Sequence, residues 1–470
     1  MKLSDLKNKK IAILGLGIEN RALVEFLLNL KKPDIGYPMS GFGGFDEPDI
    51  TICDRRSKKE LGDRYEKLNE SAAALKRGPA LRWRLGKNYD KNLKDFDIVF
   101  RVAGYPLFSS EIKKAAKSGT IISSPTRLFF DLCRNKIIGV TGTNGKGTTS
   151  GIIYHILKKS GRGAYLGGNI GNPMFGFLGK LKKNDWVVLE LSSFQLEDSD
   201  KSPHIAVITN FSQDHLARAS SVNPNYHKNL RDYWKAKLNI IKWQKKGDYA
   251  VVNDKLKARI SKLKTAPQGP KPKSKIVYFT KSDLPTRLAG EHNKENIAAA
   301  VEVAKLVGVK KGVIEKAVKS FKGMEHRLEF VKKIKGVKYY NDTFATTPEP
   351  AIAALNSFDA PIVLIAGGAD KGSDFKKLAR TVSRRNKVKY IVLLNGKATP
   401  RLKKEILKAG FLGKNIKLAY NMKEAVRAAK KNAVAGDIVL LSPACASFGM
   451  FNDYKERGRI FKNEVKKTRG

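Results

Sequence analysis

The stretch Ile137-Ile-Gly-Val-Thr-Gly-Thr-Asn-Gly-Lys-Gly-Thr-Thr-Ser150 decides how the rest of the chain is read. An apolar run predicts a strand, the glycines that follow predict a tight turn, and Thr148 onward predicts a helix start. Strand, glycine turn with one lysine, and helix together make a phosphate-binding loop. Gly142 and Gly145 let successive backbone N–H groups point at phosphate oxygens, Lys146 is placed to reach the β- and γ-phosphates, and the helix start adds its positive end. The strict GxxxxGK[ST] spacing is not met. Val140 stands five residues before Gly145, and Gly147 follows Lys146, which shifts the magnesium-binding hydroxyl by one residue to Thr148.

Two further apolar strands are expected downstream. Trp186-Val-Val-Leu-Glu190 ends on an acid and leads into Leu-Ser-Ser-Phe-Gln-Leu-Glu197, and Ile205-Ala-Val-Ile-Thr209 leads into Asn210-Phe-Ser-Gln-Asp-His215. Ligands of open α/β sheets sit beyond the carboxyl ends of strands, so the loop, Glu190 and His215 are predicted to converge. Glu190 offers a hard oxygen to Mg²⁺, and His215 is suited to bind the metal or to orient a neighbour. Gly167-Gly-Asn-Ile-Gly171 is expected to be a glycine-rich turn, and Tyr233 onward a helix. Thr265 to Lys273 is predicted to be a solvated linker. Gly290-Glu-His-Asn-Lys-Glu-Asn296 opens another helix with polar groups on its first turn, suited to a base or a ribose.

The N-terminal stretch has the same grammar. Ile11-Ala-Ile-Leu14, then Gly15-Leu-Gly17, then an apolar helical pattern predict a Rossmann-like opening, with Asn20 where GxGxxG has its third glycine. Lys31 to Pro48 has the composition of an inserted loop. The strand Ile50-Thr-Ile-Cys53 runs into Asp54-Arg55-Arg56, where an acid can hold a ribose hydroxyl and arginines can meet phosphate or a base, or where a plain surface turn can lie. The C-terminal part repeats strand and helix through Val337–Tyr340, Pro361–Ala366, Tyr390–Leu394 and Asp437–Leu441, each delivering a polar or small loop to one edge. The predicted fold is α/β in three domains: a Rossmann-like domain over 1–133, a central P-loop-type ATPase domain over 134–325 and a Rossmann-like domain over 326–470.

Composition limits the function classes. The 470 residues carry 91 Lys and Arg against 44 Asp and Glu, a formal net charge of +47. The cations are scattered in ones and twos along the whole chain, which fits a solvated lysine-rich surface better than a nucleic-acid stripe, so no specific nucleic acid is expected as partner. No apolar run approaches the roughly 18 residues of a membrane span, and the N-terminus lacks a signal-peptide core, so a cytoplasmic protein with no membrane partner is expected. Three widely spaced cysteines, Cys53, Cys133 and Cys445, fit a reducing compartment.

Thr141 to Lys146, Glu190 to Gln195, Asp214-His215, Gly290 to Asn296, His326-Arg327 and Leu441 to Ser447, in this order, resemble the ATP-dependent Mur ligases of peptidoglycan synthesis over essentially the whole chain. The resemblance implies ATP and Mg²⁺ as cofactors, UDP-N-acetylmuramoyl-L-alanine and D-glutamate as substrates, an acyl-phosphate intermediate and a monomer. It assigns catalytic roles to Lys146, Glu190, His215 and Lys237, the last as a carbamylated metal ligand, and metal binding to Thr148, Glu190, His215 and Lys237. It assigns the nucleotide to Gly142, Thr143, Asn144, Gly145, Lys146, Gly147, Thr148, Thr149, His292, Asn293, Asn296, Arg327 and Asp342. It assigns the uridine-diphosphate side to Gly15, Leu16, Gly17, Ile18, Glu19, Asp54 and Arg56, and the muramoyl side to Asn169 and Ser192. The D-glutamate carboxylates fall to Thr346, Lys371, Ser447 and Phe448. Gly147 departs from the usual Ser or Thr of D-glutamate ligases and is similar to folylpolyglutamate synthase. Phe344 stands where a lysine is common, Val102-Ala-Gly104 replaces Ser-Pro-Gly, and Ala217 to Lys228 are extra. Another Mur-type or folate-type amide ligase is the alternative within the class, and a basic nucleic-acid-binding ATPase is the alternative outside it.

Overall fold

The computed structural model describes residues 1–30, 48–73, 81–212, 225–265, 272–288, 290–370, 373–384 and 387–467. The expected inserted loop at Lys31–Pro48 therefore lies almost wholly outside the described residues, as does most of the expected linker. Contacts divide the chain into two units, Met1–Asp283 with Lys294–Ala317, and Leu284–Asn293 with Val318–Gly470.

The first unit holds two parallel sheets. β1 (Lys10–Leu14), β2 (Asp49–Asp54), β3 (Leu81–Leu85), β4 (Ile98–Arg101) and β5 (Ile121–Ser123) are ordered 3-2-1-4-5. β6 (Ile137–Thr141), β7 (Ala164–Gly168), β8 (Trp186–Glu190), β9 (Ile205–Ile208), β10 (Tyr249–Asn253) and β11 (Lys275–Phe279) are ordered 11-10-9-6-8-7. Apart from the edge strands β3 and β11, their apolar runs are nearly continuous, as in other parallel sheets covered on both faces. One apolar core links the two sheets: Phe175 packs its ring 5.1 Å from Phe26 of the first and 6.1 Å from Phe129.

A buried ion cluster fixes the same junction. Arg101, at the end of β4, is fully buried; it donates to the carbonyls of Tyr105 at 3.0 Å and Phe194 at 3.1 Å and to Asp198 at 3.3 Å. Glu197 stands 3.7 Å away. A planar fork with five donors can satisfy several acceptors at once, which a lysine cannot.

The second unit is built on β12 (Glu329–Ile334), β13 (Val337–Asn341), β14 (Ile362–Ala366), β15 (Val388–Leu394), β16 (Ile416–Ala419) and β17 (Ile438–Leu441), ordered 12-13-17-14-15-16. Along β14, Ile362, Leu364 and Ala366 enter one core while Val363 and Ile365 enter the other, so period-two alternation survives in a strand that is apolar throughout. The four expected strands, now β13, β14, β15 and β17, run parallel and deliver their loops to one edge, while β12, which was not anticipated, pairs antiparallel with β13. A two-residue turn at Lys335-Gly336 folds β12 back, leaving no length for a crossover helix.

Several strands were not anticipated, among them β3, β11 and β16. Gly167 and Gly168 close β7, so the predicted glycine turn starts later than expected. The phosphate-loop helix starts at Lys146 rather than Thr148.

Replacing Arg101 by Met would leave the partly buried Asp198 and Glu197 carboxylates without their cation. Loss of one member of such a pair costs about 3–5 kcal/mol, so the variant is expected to unfold at clearly lower urea concentration, and an unchanged midpoint would show the cluster to be unimportant.

Candidate functional site

Strand register brings the central residues to one sheet edge. β6 pairs with β8 at Val140 and Glu190 and with β9 at Thr141 and Ile208, so the loop after Thr141 lies between the carboxyl ends of both neighbours. The loop then threads a tight passage. Gly142 has φ +150°, and a Cβ there would stand 2.0 Å from Thr209 Oγ1; Gly145 has φ +80°, and a Cβ would stand 2.2 Å from Asn296 Oδ1. Only glycine fits both the backbone and the space. Gly145 caps a helix, Lys146–Lys159, whose first-turn N–H groups point back into the loop.

The segment after β9 holds this loop by its own polar groups. Thr209 Oγ1 donates to Asn144 O at 2.6 Å, Asn144 N donates to Asn210 Oδ1 at 2.8 Å, and Ser212 N donates to Thr143 Oγ1 at 3.0 Å. Thr209, Asn210 and Ser212 were not singled out from the sequence. Their adjacency to His215 was the available signal. Lys146 Nζ donates to Gly142 O at 3.1 Å and Thr143 O at 2.8 Å. Lys237 is buried on the helix Leu230–Lys242, where its ammonium donates to Gly142 O at 2.7 Å and lies 4.6 Å from the centre of the Tyr233 ring. Asn296, on the helix His292–Leu306, accepts from Thr149 Oγ1 at 3.3 Å.

Glu190 is buried at the end of β8. Its Oε1 accepts from Asn169 Nδ2 at 2.8 Å, while its Oε2 has no hydrogen-bond partner. A buried carboxylate oxygen without a partner is what a hard divalent cation would engage. Thr148 is half-buried on the first turn of the loop helix. His215 lies outside the described residues, and among the described residues no group of three or more His, Cys, Asp or Glu is arranged to hold a metal. Among the described residues, Glu190 Oε2 and the Thr148 hydroxyl are the oxygens that suit a hard cation beside the loop.

Asn169 therefore reaches Glu190, and Ser192 uses its hydroxyl to cap the helix Ser193–Leu196 through Gln195 N at 3.2 Å. In the first sheet, Leu16 N donates to Asp54 Oδ2 at 2.6 Å, and Arg56 grips both Asp54 oxygens and Leu16 O. Burial pushes Asp54 upward, but the hydrogen bonds from Arg56 and Leu16 outweigh it and hold the carboxyl below its ordinary range. Asp54 thus shapes the Gly15–Gly17 loop, and half-buried Arg56 is tied to the same loop. A cavity of about 230 Å³ opens against Leu16, Gly17, Ile18 and Arg21. Glu19 accepts from Met174 N at 3.1 Å, and burial pushes it up to about 7 against that hydrogen bond.

In the second unit, His292 and Asn293 open the helix noted above. Asp342, after β13, accepts from Ser442 Oγ at 2.7 Å and from Leu328 N at 3.1 Å. Arg327 lies over the Phe344 ring, 4.6 Å from its centre. Arg457, fully buried and unanticipated, donates to Thr343 Oγ1 at 2.8 Å, Thr343 O at 2.9 Å and Cys445 O at 3.1 Å, tying the Asp342–Thr346 segment to Ser442–Ser447. Nothing in the sequence marks this arginine, which is one cation of many on a lysine-rich helix. Ser447 is buried, Thr346 half-buried and Phe448 exposed, while Lys371 lies outside the described residues.

Two family models match the chain: the Mur ligase middle domain over residues 140–304 and the Mur ligase, glutamate ligase domain over 326–445. A UDP-N-acetylmuramoylalanine–D-glutamate ligase of Clostridium acetobutylicum is 39% identical, across 98% of this chain and 97% of the relative. Among solved structures, UDP-N-acetylmuramate-alanine ligase of Thermotoga maritima aligns with a TM-score of 0.55 at 18% identity, covering 98% of this chain and 100% of that one. The MurF ligase of Thermotoga maritima in complex with ADP aligns at 0.53 and 19% identity, covering 89% and 95%. The two structures show likeness of fold.

Burial pushes the Asp342 carboxyl up to about 7, against the lowering effects of Ser442, Leu328 and Arg327. Between about pH 4 and 7 the folded chain then keeps a proton that the unfolded chain has lost, so this group's contribution to stability falls as pH rises through that window. Comparing urea midpoints of the chain and of Asp342→Asn across this range should show the slope flattened in the variant; parallel curves would contradict it.

Proposed function

The chain belongs to the Mur ligase family, and on that premise we propose that it joins D-glutamate to UDP-N-acetylmuramoyl-L-alanine with conversion of ATP to ADP and phosphate. The observation that carries this reading is the near full-length similarity to D-glutamate ligases, joined to a glycine loop that two lysines and an unpartnered carboxylate oxygen surround. The substrate carboxylate attacks the γ-phosphorus, ADP leaves, and an acyl phosphate forms. The amino group of D-glutamate then attacks the acyl carbon, and phosphate departs from the tetrahedral intermediate.

Phosphoryl transfer of this kind asks for positioning and charge neutralisation more than for covalent help. The amides of Thr143 to Thr149 and the helix end bind the phosphates, and Lys146 exchanges its loop carbonyls for phosphate oxygens. A Mg²⁺ ion held by Thr148, Glu190 and His215 would neutralise charge on the polyphosphate. Carbamylation of Lys237 would turn an ammonium into an oxygen donor on the same side of the loop. Asn293 and Asn296 with His292 take the adenine side, and Arg327 with Asp342 takes the phosphate side from the C-terminal part. Gly15 to Glu19 with Arg56 hold the uridine diphosphate, Asn169 and Ser192 line the muramoyl side, and Thr346, Lys371, Ser447 and Phe448 receive D-glutamate. Residues 1–133, 134–325 and 326–470 thus act as UDP, ATP and amino-acid domains. The reaction belongs in the cytoplasm, where ATP is available; no helix among the described residues is long and apolar enough to cross a membrane.

Incubation with ATP, Mg²⁺, bicarbonate, UDP-N-acetylmuramoyl-L-alanine and single D- or L-amino acids is expected to add the mass of one glutamyl residue with D-glutamate alone. Product with another amino acid, or none at all, would refute this specificity. Lys146→Ala is expected to lower turnover by at least about 100-fold, as removal of a main transition-state charge contact does, with an unchanged melting curve. Normal ligation by that variant would refute the phosphate-loop assignment.

A further inference from the structure

The turn that carries Arg327 is strained and heavily tied. His326 and Leu328, on either side of it, both adopt positive φ, 68° and 43°, and for a bulky residue such as leucine that region is disfavoured. The strain persists because neighbours fix the backbone. His326 N donates to Glu329 Oε2 at 2.9 Å, Arg327 N to Met324 O at 3.0 Å, Leu328 N to Asp342 Oδ1 at 3.1 Å, and Phe344 N to His326 O at 2.9 Å. Strain held by surrounding structure tends to mark places where one side chain has to be aimed.

The side chain so aimed rests on a ring. The Arg327 guanidinium carbon lies 4.6 Å from the Phe344 centroid, and among the described residues no carboxylate lies within ion-pair distance of it. Phe344 is itself held edge-on by Tyr454, with centroids 5.3 Å apart at 88°, and Tyr454 also meets His326 edge-on at 6.0 Å. A ring face holds the planar cation by its quadrupole and leaves guanidinium N–H groups for an oxyanion. A lysine at 344 would instead set a second positive charge against Arg327.

We propose that Phe344 is the positioning residue for Arg327: stacking on its face orients the guanidinium toward a nucleotide phosphate. The phenylalanine that stands where a lysine is common then serves to aim the neighbouring guanidinium. This rests on the reading of Arg327 as a nucleotide contact.

The test is steady-state ligation by the full chain with ATP varied and the other substrates saturating. Phe344→Leu is expected to raise KM for ATP about three- to fivefold, the range of a partly exposed cation–π contact, with kcat within twofold and an unchanged melting curve. Phe344→Tyr, which keeps the face, is expected to restore KM. In an Arg327→Gln background, which itself raises KM, Phe344→Leu is expected to add nothing. Wild-type kinetics for Arg327→Gln would overturn the nucleotide role of Arg327. Impaired Arg327→Gln with wild-type Phe344→Leu, additive effects of the two, or failure of Phe344→Tyr to restore KM would overturn the positioning role alone. Should Phe344→Leu fail to fold, Phe344→Met, closer to it in length, carries the same comparison.

Discussion

Two ammonium groups, Lys146 and Lys237, converge on a single backbone carbonyl, that of Gly142. The arrangement holds because the loop backbone is pinned by Thr209, Asn210 and Ser212 from the next strand's end, and because the glycines admit those neighbours at contact distance. The loop is thus preorganised with two cationic side chains at one of its carbonyls.

Outside this loop the chain relies repeatedly on one device, a buried arginine that satisfies several carbonyls at once. Arg101 joins the end of β4 to the segment after β8, and Arg457 joins the segments after β13 and β17. In each case irregular backbone beyond a strand end, where carbonyls have no ladder partner, is bound by a fork of fixed geometry. Burial lowers the Arg457 pKa to about 10, which still leaves it charged under ordinary conditions. These forks let loops that carry polar groups stay in one shape without a regular element beneath them.

Some residues assigned to ligands from the sequence also spend polar atoms on neighbouring protein groups. Asp54 spends its carboxylate on Leu16 and Arg56, Ser192 caps a short helix, and Asn169 reaches Glu190. Each still shapes the site, by fixing the group beside it. A motif records which residue types occur together; hydrogen-bond accounting decides which of them have polar atoms left for a ligand.

The phosphate loop, the βα alternation and the convergence of Glu190 with the loop were legible in the sequence, because glycine spacing and apolar runs are local properties that carry directly into backbone shape. The weakly patterned strands β3, β11 and β16 were not, since their short or mixed runs become strands only through the neighbours that pair with them. The antiparallel β12, the roles of Arg101 and Arg457, and the stacking of Arg327 on Phe344 were decided by tertiary structure alone. Each depends on contacts between residues tens to a hundred or more positions apart, or on a turn whose geometry two positive φ angles set, and no local pattern encodes which distant carbonyl or ring a cation will meet.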